Sequence, residues 1–167
     1  MTLSTPRLTL RRPLEADWPD YLDYRLSDRS TLVGAPDVAV AREHFDGFFA
    51  HWAAFGFGRF VMVERASGRP IGHVGPFFPD GHPEPELTWT LWSSAHEGLG
   101  LAFEAAQVAR DHAFSDLGWT TAVSYIVPGN DRSVRLAERL GARLDPDATA
   151  PDYDGGCLVY RHAAGAA

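Results

Sequence analysis

Residues 86–118 constrain this chain more than any other stretch. Leu87, Trp89 and Leu91 fall on one face and Glu86, Thr88, Thr90 and Trp92 on the other, the period of a half-buried β-strand. A loop over 93–98 follows, and a helix is expected from about Leu99 to Leu117, stopped by Gly118. Ala102, Ala106, Ala109 and Ala113 share one stripe of that helix, small enough to bring its backbone close to a sheet. The join reads Glu97-Gly98-Leu99-Gly100-Leu101-Ala102. Two glycines let the backbone turn tightly and approach a ligand, and the first helical turn leaves N–H groups without partners. Together these make an anion site suited to a pyrophosphate. A strand that turns through such a loop into a sheet-packing helix commits the chain to mixed α and β structure.

The other elements follow from periodicity. Leu8 and Leu10 alternate with polar neighbours in a short strand over 7–12. After Pro13, the residues Leu14, Trp18, Tyr21, Leu22 and Leu26 recur at helical spacing, with Asp17 placed to cap the start. Ala41, Phe45, Phe48, Trp52 and Phe55 form a second amphipathic stripe, read as core. A hairpin joins 60–63 to 71–77 through Ala66-Ser67-Gly68-Arg69, and Pro79, Gly81, Pro83 and Pro85 make the next stretch irregular. A central strand is expected at 122–127, apolar apart from Ser124 and Tyr125. Asn130 can cap a helix running to Leu140 and stopped by Gly141. A last strand at 157–161 precedes an Ala/Gly tail expected to fray over 163–167. The order β-α-α-β-β-β-α-β-α-β describes one domain over 1–167, of α+β (α/β) class, with helices on both faces of a mixed sheet. It is not an alternating dinucleotide-binding fold.

Composition narrows the function. With 15 basic and 22 acidic side chains the net charge is −7, which disfavours nucleic-acid binding and suits a cationic or small neutral partner. All basic residues are arginine, read as coding bias. Four of them, Arg132, Arg135, Arg139 and Arg143, fall in 128–143 against Asp131 and Glu138, a locally positive stretch. The lone Cys157 excludes an intrachain disulfide. Without an apolar leader or a membrane-length apolar run, a soluble cytoplasmic protein with no membrane partner is expected. The seven His are scattered and His96-Glu97 lacks a second His at metal-ligand spacing, so no metal is expected. There is no Gly-x-Ser-x-Gly elbow, no Gly-Lys-Ser/Thr loop and no third glycine of a dinucleotide fingerprint. Cys157 and His162 make a poor nucleophilic pair.

Three pieces occur in order: Thr5-Pro6-Arg7-Leu8-Thr9-Leu10-Arg11, then EGLGLAFEAA over 97–106, then PGNDRSVRLAERLG over 128–141 with its Asn-x-x-Ser element. Together they resemble the GNAT superfamily of acyl-CoA-dependent N-acetyltransferases, and within it the RimJ/RimL-like branch, over about residues 3–162. The resemblance implies a mixed, mostly antiparallel sheet. Its two central parallel strands, here around 86–92 and 122–127, splay into a V that admits acetyl-CoA, the acyl donor. The donor's amides would pair with the backbone near Leu91 and Trp92. Its pyrophosphate would sit on the N–H groups of Gly98, Leu99, Gly100, Leu101 and Ala102, with Asn130 a further contact. Where the family has Arg or Gln, this chain has Glu97, a carboxylate that is unfavourable beside a pyrophosphate unless it points away.

The implied chemistry is attack of a neutral amine on a thioester. Glu86 matches the family's strand carboxylate and is expected to act as the base, directly or through water, with Glu84 second. An N–H near Trp92, where the family has a strand bulge, would stabilise the oxyanion. The position of the family's common Tyr acid is Ala137 here, so Ser133 is expected to serve the leaving sulfur, with Tyr125 in reserve. Trp18, Tyr21, Tyr24, Phe48 and Trp52 would wall the acceptor site. The acceptor would be a protein N-terminus or a small-molecule amine, and the chain a monomer or homodimer. The alternative is a non-catalytic acyl-CoA-binding or interaction module on the same fold.

Overall fold

The alternating strands and amphipathic helices come together around an eight-stranded sheet in the computed structural model, which describes residues 1–33, 37–152 and 156–164. The strands are β1 (Thr2–Ser4), β2 (Leu8–Arg11), β3 (Phe60–Glu64), β4 (Pro70–Phe77), β5 (Glu86–Leu91), β6 (Thr121–Ile126), β7 (Arg143–Leu144) and β8 (Leu158–Ala163). The helices are α1 (Trp18–Leu26), α2 (Val38–Phe55), α3 (Leu101–Asp111) and α4 (Asp131–Arg139). Strand order is β1-β2-β3-β4-β5-β6-β8-β7. Every neighbouring pair is antiparallel except β5 with β6. The mixed, mostly antiparallel sheet with one parallel pair is the fold class expected from the sequence.

Strand alternation sends apolar side chains to both faces, and helices cover each. On one face Leu8, Leu10, Phe60, Met62, Ile71 and Val74 meet Leu101, Ala105, Ala106 and Ala109 of α3. On the other, Val61 and Trp92 meet Tyr21 and Tyr24 of α1 and Phe45 and Phe48 of α2. Each such fully buried ring or aliphatic side chain contributes about 1.5–3 kcal/mol. No helix among the described residues is long and apolar enough to cross a membrane, and no three His, Cys, Asp or Glu among them could together hold a metal ion.

Several local expectations change. β1 and β7 were not anticipated, because three and two residues are too few to show an alternation. Asp17 does not cap α1: Arg11 grips its carboxylate through Nη1 at 2.8 Å and Nη2 at 2.7 Å, and the carboxylate accepts the Leu14 N–H at 2.8 Å. Of the expected small-residue stripe Ala106, Ala109 and Ala113 are buried, Ala105 joins them and Ala102 is only half-buried, and the helix widens into a π turn over His112–Asp116, where His112 Nδ1 and Asp116 Oδ2 lie 2.7 Å apart. Phe55 ends α2 exposed rather than in the core. Of the tail expected to fray, Ala163 still belongs to β8, and 165–167 lie outside the described residues.

Candidate active site

β5 and β6 register at one pair, Glu86 opposite Val123. The Val123 N–H donates to the Pro85 carbonyl at 2.9 Å. One step further, the Leu87 carbonyl receives the hydroxyl of Ser124 at 2.7 Å instead of a main-chain N–H. From there the strands part, so the buried serine of β6 marks where the ladder stops.

With its proton on Leu87, the Ser124 oxygen accepts from His162 Nε2 at 3.0 Å, which assigns the proton to Nε2. His162 Nδ1 then has no partner among the described residues, and the ring is 1% exposed. Burial, with Arg110 acting in the same direction, pushes its pKa down to about 4. His73 is also held well below the usual value by burial, then by Arg59 and Arg25. An imidazole kept neutral in the fold, but free to protonate near pH 6.5 when unfolded, binds fewer protons in the native state. Its contribution is full above that pH and is lost as pH falls towards 4, by roughly 3 kcal/mol for His162. Urea unfolding is therefore expected to show a lower midpoint at pH 5 than at pH 7, and His162→Gln should flatten that difference. Equal wild-type midpoints at the two pH values would count against this.

The splay determines which main-chain groups of β5 are open. Pairing with β4 turns the N–H and C=O of alternate residues towards that strand, and those of Leu87, Trp89 and Leu91 towards the gap. The register with β4 runs unbroken to Gly72–Leu91, and the Trp92 N–H donates to the Ile71 carbonyl at 2.8 Å. The Trp92 indole is buried and donates to His73 Nδ1 at 3.0 Å. The register with β4 carries no bulge at Trp92, and the ladder uses that residue's amide, so Trp92 itself does not present an N–H to the gap. Leu91 does face the gap, and Trp89, which the sequence did not single out for its backbone, joins it.

Glu86 opens β5 on the face roofed by α1 and α2, at 7% exposure. Its Oε2 lies 3.4 Å from His82 Nδ1, and the His82 ring stands edge-on to Tyr125 with centroids 5.5 Å apart. Glu84 is committed elsewhere. Arg161 holds it through Nη1 at 2.6 Å and Nη2 at 2.9 Å, and these hydrogen bonds keep its carboxyl below the usual range. Burial pushes the Tyr125 phenol up to about 12, so it stays protonated at neutral pH.

The glycine loop has the geometry its composition implied. Gly98 and Gly100 sit at φ 71° and 77°, the left-handed region that favours glycine. Gly100 caps α3 without a side chain, leaving the amides of the first turn open. Arg7, part of the opening segment, fastens the loop from below: Nη1 donates to the Leu99 carbonyl at 2.8 Å, and Nε pairs with Glu104 at 2.7 Å. The Leu101 side chain anchors in the core while Leu99 is exposed. Across the gap, Asn130 caps α4 by accepting the Ser133 N–H at 3.3 Å, and the Trp89 indole donates to the Ser133 hydroxyl at 3.3 Å. Glu97 does not point away to solvent. Its carboxylate lies between Arg29 and Arg132, and Arg29 also donates to the Leu91 carbonyl at 3.1 Å.

One continuous cleft of about 1840 Å³ joins these parts, from the glycine loop through the gap to the underside of α1 and α2. Glu86, Leu91, Gly98, Gly100, Leu101, Ala102, Asn130 and Ser133 line it; Leu99 and Trp92 do not. On the helical side Tyr21 and Tyr24 reach it with Arg25 and Arg59. Arg59 is stacked over Phe48 at 4.0 Å and Phe77 at 4.1 Å. Phe48 and Trp52, expected beside those tyrosines, belong to the packed interior instead, and Trp18 is half-buried against it, away from the cleft. Arg7, Arg29, Ser124 and His162 were not read as site residues, because each acts through a partner distant in sequence; His82 was missed although its partner Glu86 lies only four residues on.

The family model described as Acetyltransferase (GNAT) domain matches residues 7–143. A solved acetyltransferase from Agrobacterium tumefaciens str. C58 is 42% identical, with a TM-score of 0.90 over 97% of this chain and 94% of that one. A GnaT-family acetyltransferase structure from Bordetella pertussis is 29% identical, with a TM-score of 0.81 over 98% of this chain and 99% of that one. An aminoglycoside acetyltransferase in complex with coenzyme A shares the fold at 20% identity, with a TM-score of 0.73 over 95% and 96%.

Proposed function

The chain belongs to the GNAT acetyltransferase family, and from that premise we propose that it acts as a single N-acetyltransferase domain. The reaction is transfer of an acetyl group from acetyl-CoA to a primary amine, directly, in a ternary complex. The observation that carries this reading is the gap. β5 and β6 register only at Glu86–Val123, leaving main-chain groups open above and a buried carboxylate at the foot.

The residues present fit a donor with phosphates at one end and amides along its length. Gly98, Gly100 and the amides at 101–102 suit the anionic end, beside Asn130 at the start of α4. Trp89 and Leu91 offer main-chain partners to the amides. That a fold relative was solved with coenzyme A supports this placement. When bound, acetyl-CoA supplies a thioester that a neutral amine can attack.

The chain's own residues then manage protons. Most amines are charged at pH 7, so Glu86 takes the proton that the acceptor must lose, directly or through water. Ser133 is assigned to hydrogen-bond the leaving sulfur on the far side, with water completing the proton transfer. Trp89 donates into its oxygen, which leaves the hydroxyl proton for the cleft. Tyr125, protonated and on the same face as Glu86, is the reserve. The acceptor is a protein N-terminus, as the RimJ/RimL-like branch suggests, or a small-molecule amine.

Glu97 and Ala137 favour the rival reading of a non-catalytic acyl-CoA binder. Calorimetry with acetyl-CoA, together with thiol release measured over a panel of amines, separates the two. The enzyme binds acetyl-CoA and releases free thiol only with an amine present. Binding without thiol release across the panel identifies the binder, and no binding at millimolar acetyl-CoA overturns both.

A further inference from the structure

Glu97 lies in the loop that the functional reading gives to an anion, yet it is an anion itself. Three elements meet at its carboxylate. Oε1 pairs with Nη1 of Arg29, from the turn after α1, and Oε2 pairs with Nη1 of Arg132 in the first turn of α4 at 2.5 Å. Arg29 uses its other nitrogen, Nη2, on the Leu91 carbonyl at 3.1 Å, a main-chain group of β5 that faces the gap. Arg29, Leu91, Glu97 and Arg132 all line the cleft. The positive ends of α3 and α4 open onto it at Gly100 and Asn130.

Stability does not account for this arrangement. The Arg132 side chain is 72% exposed, and an ion pair so open to water adds little to folding. What the carboxylate does is supply a negative charge at a point where two guanidinium groups and two helix N-termini converge. We propose that Glu97 is an internal stand-in for the donor's phosphates. It occupies Arg29 and Arg132 in the free protein and must give them up when the anionic end of the donor arrives. The inference rests on the acyl-CoA reading. It makes Glu97 a residue that lowers donor affinity through competition, and not a scaffold for the loop. The exchange also frees Arg29 from the Leu91 carbonyl, so the main-chain edge opens as the phosphates bind.

The test is calorimetric and needs no turnover. Glu97→Gln keeps the shape and removes the charge. Its dissociation constant for CoA is expected to fall roughly tenfold at low salt, the gain shrinking as salt screens the arginines. Pantetheine, which has no phosphates, should bind wild type and variant alike. Glu97→Ala should shift CoA affinity in the same direction, and Arg132→Gln should weaken CoA binding to the wild-type chain. A Glu97→Gln protein that binds CoA no tighter than wild type, or more weakly, overturns this inference alone when wild type binds normally. A wild-type protein that does not bind CoA removes the functional reading and this inference with it.

Discussion

Replacing Glu86 with Gln is expected to lower kcat by about a hundredfold or more, the usual scale for losing a positioned base, while leaving the dissociation constant for acetyl-CoA unchanged. The geometry isolates this carboxylate. It stands at the foot of the gap at 7% exposure, and its Oε2 has His82 Nδ1 at 3.4 Å. Keeping a carboxylate so far from water is costly unless it is well paired, so the charge is not there to hold the fold. The variant should therefore be as stable as wild type, or more so, a trade-off expected where a side chain is kept for chemistry. Glu84→Gln is the contrasting change. Its ion pair with Arg161 joins the proline-rich loop to β8, so a modest stability loss with kcat retained is expected. Steady-state kinetics beside thermal melts reads both. An unchanged kcat in Glu86→Gln would remove Glu86 as the base.

Gly72→Ala is expected to be strongly destabilising. A Cβ there would lie 2.2 Å from the Thr90 carbonyl oxygen and 2.4 Å from Met62 Cε, with Leu91 Cα at 3.1 Å. The methionine end can swing aside, but Thr90 and Leu91 are the backbone of β5. Relief requires β4 and β5 to separate, at a cost of about 3 kcal/mol, or roughly 10 °C in Tm for a chain of this size. The same shift moves Leu91 and the edge that faces the gap, so CoA binding should weaken along with stability. Differential scanning calorimetry and a CoA titration on one preparation measure both. A melting temperature within a degree of wild type would show that β5 yields more easily than this packing allows.

The fold was legible because its cues are local. Leu87, Trp89 and Leu91 against Thr88 and Thr90 marked a strand, and two glycines before a small-residue helix marked the turn after it. Both glycines do adopt left-handed φ. Asn130 was legible as a cap because a cap bonds only three residues onward. Aromatic residues misled in part: spacing put Trp18, Phe48 and Trp52 on the inner side of α1 and α2, but only packing decides which of them fill the core and which reach a cavity. Tyr21 and Tyr24 alone of that set line the cleft.

By itself, the sequence determined the alternation of strands and helices, the family resemblance and the place of the glycine loop. All of these depend on residues within a turn or two of one another. Only the tertiary structure decided which acidic residue is available and which is already engaged. Glu84 is taken by Arg161, 77 residues away, and Glu97 by Arg29 and Arg132, 68 and 35 residues away. The strands part where the Ser124 hydroxyl meets the Leu87 carbonyl, 37 residues back. A side chain's charge, protonation and hydrogen-bond partners are set by what surrounds it in space, and packing chooses those neighbours only after the local elements have formed.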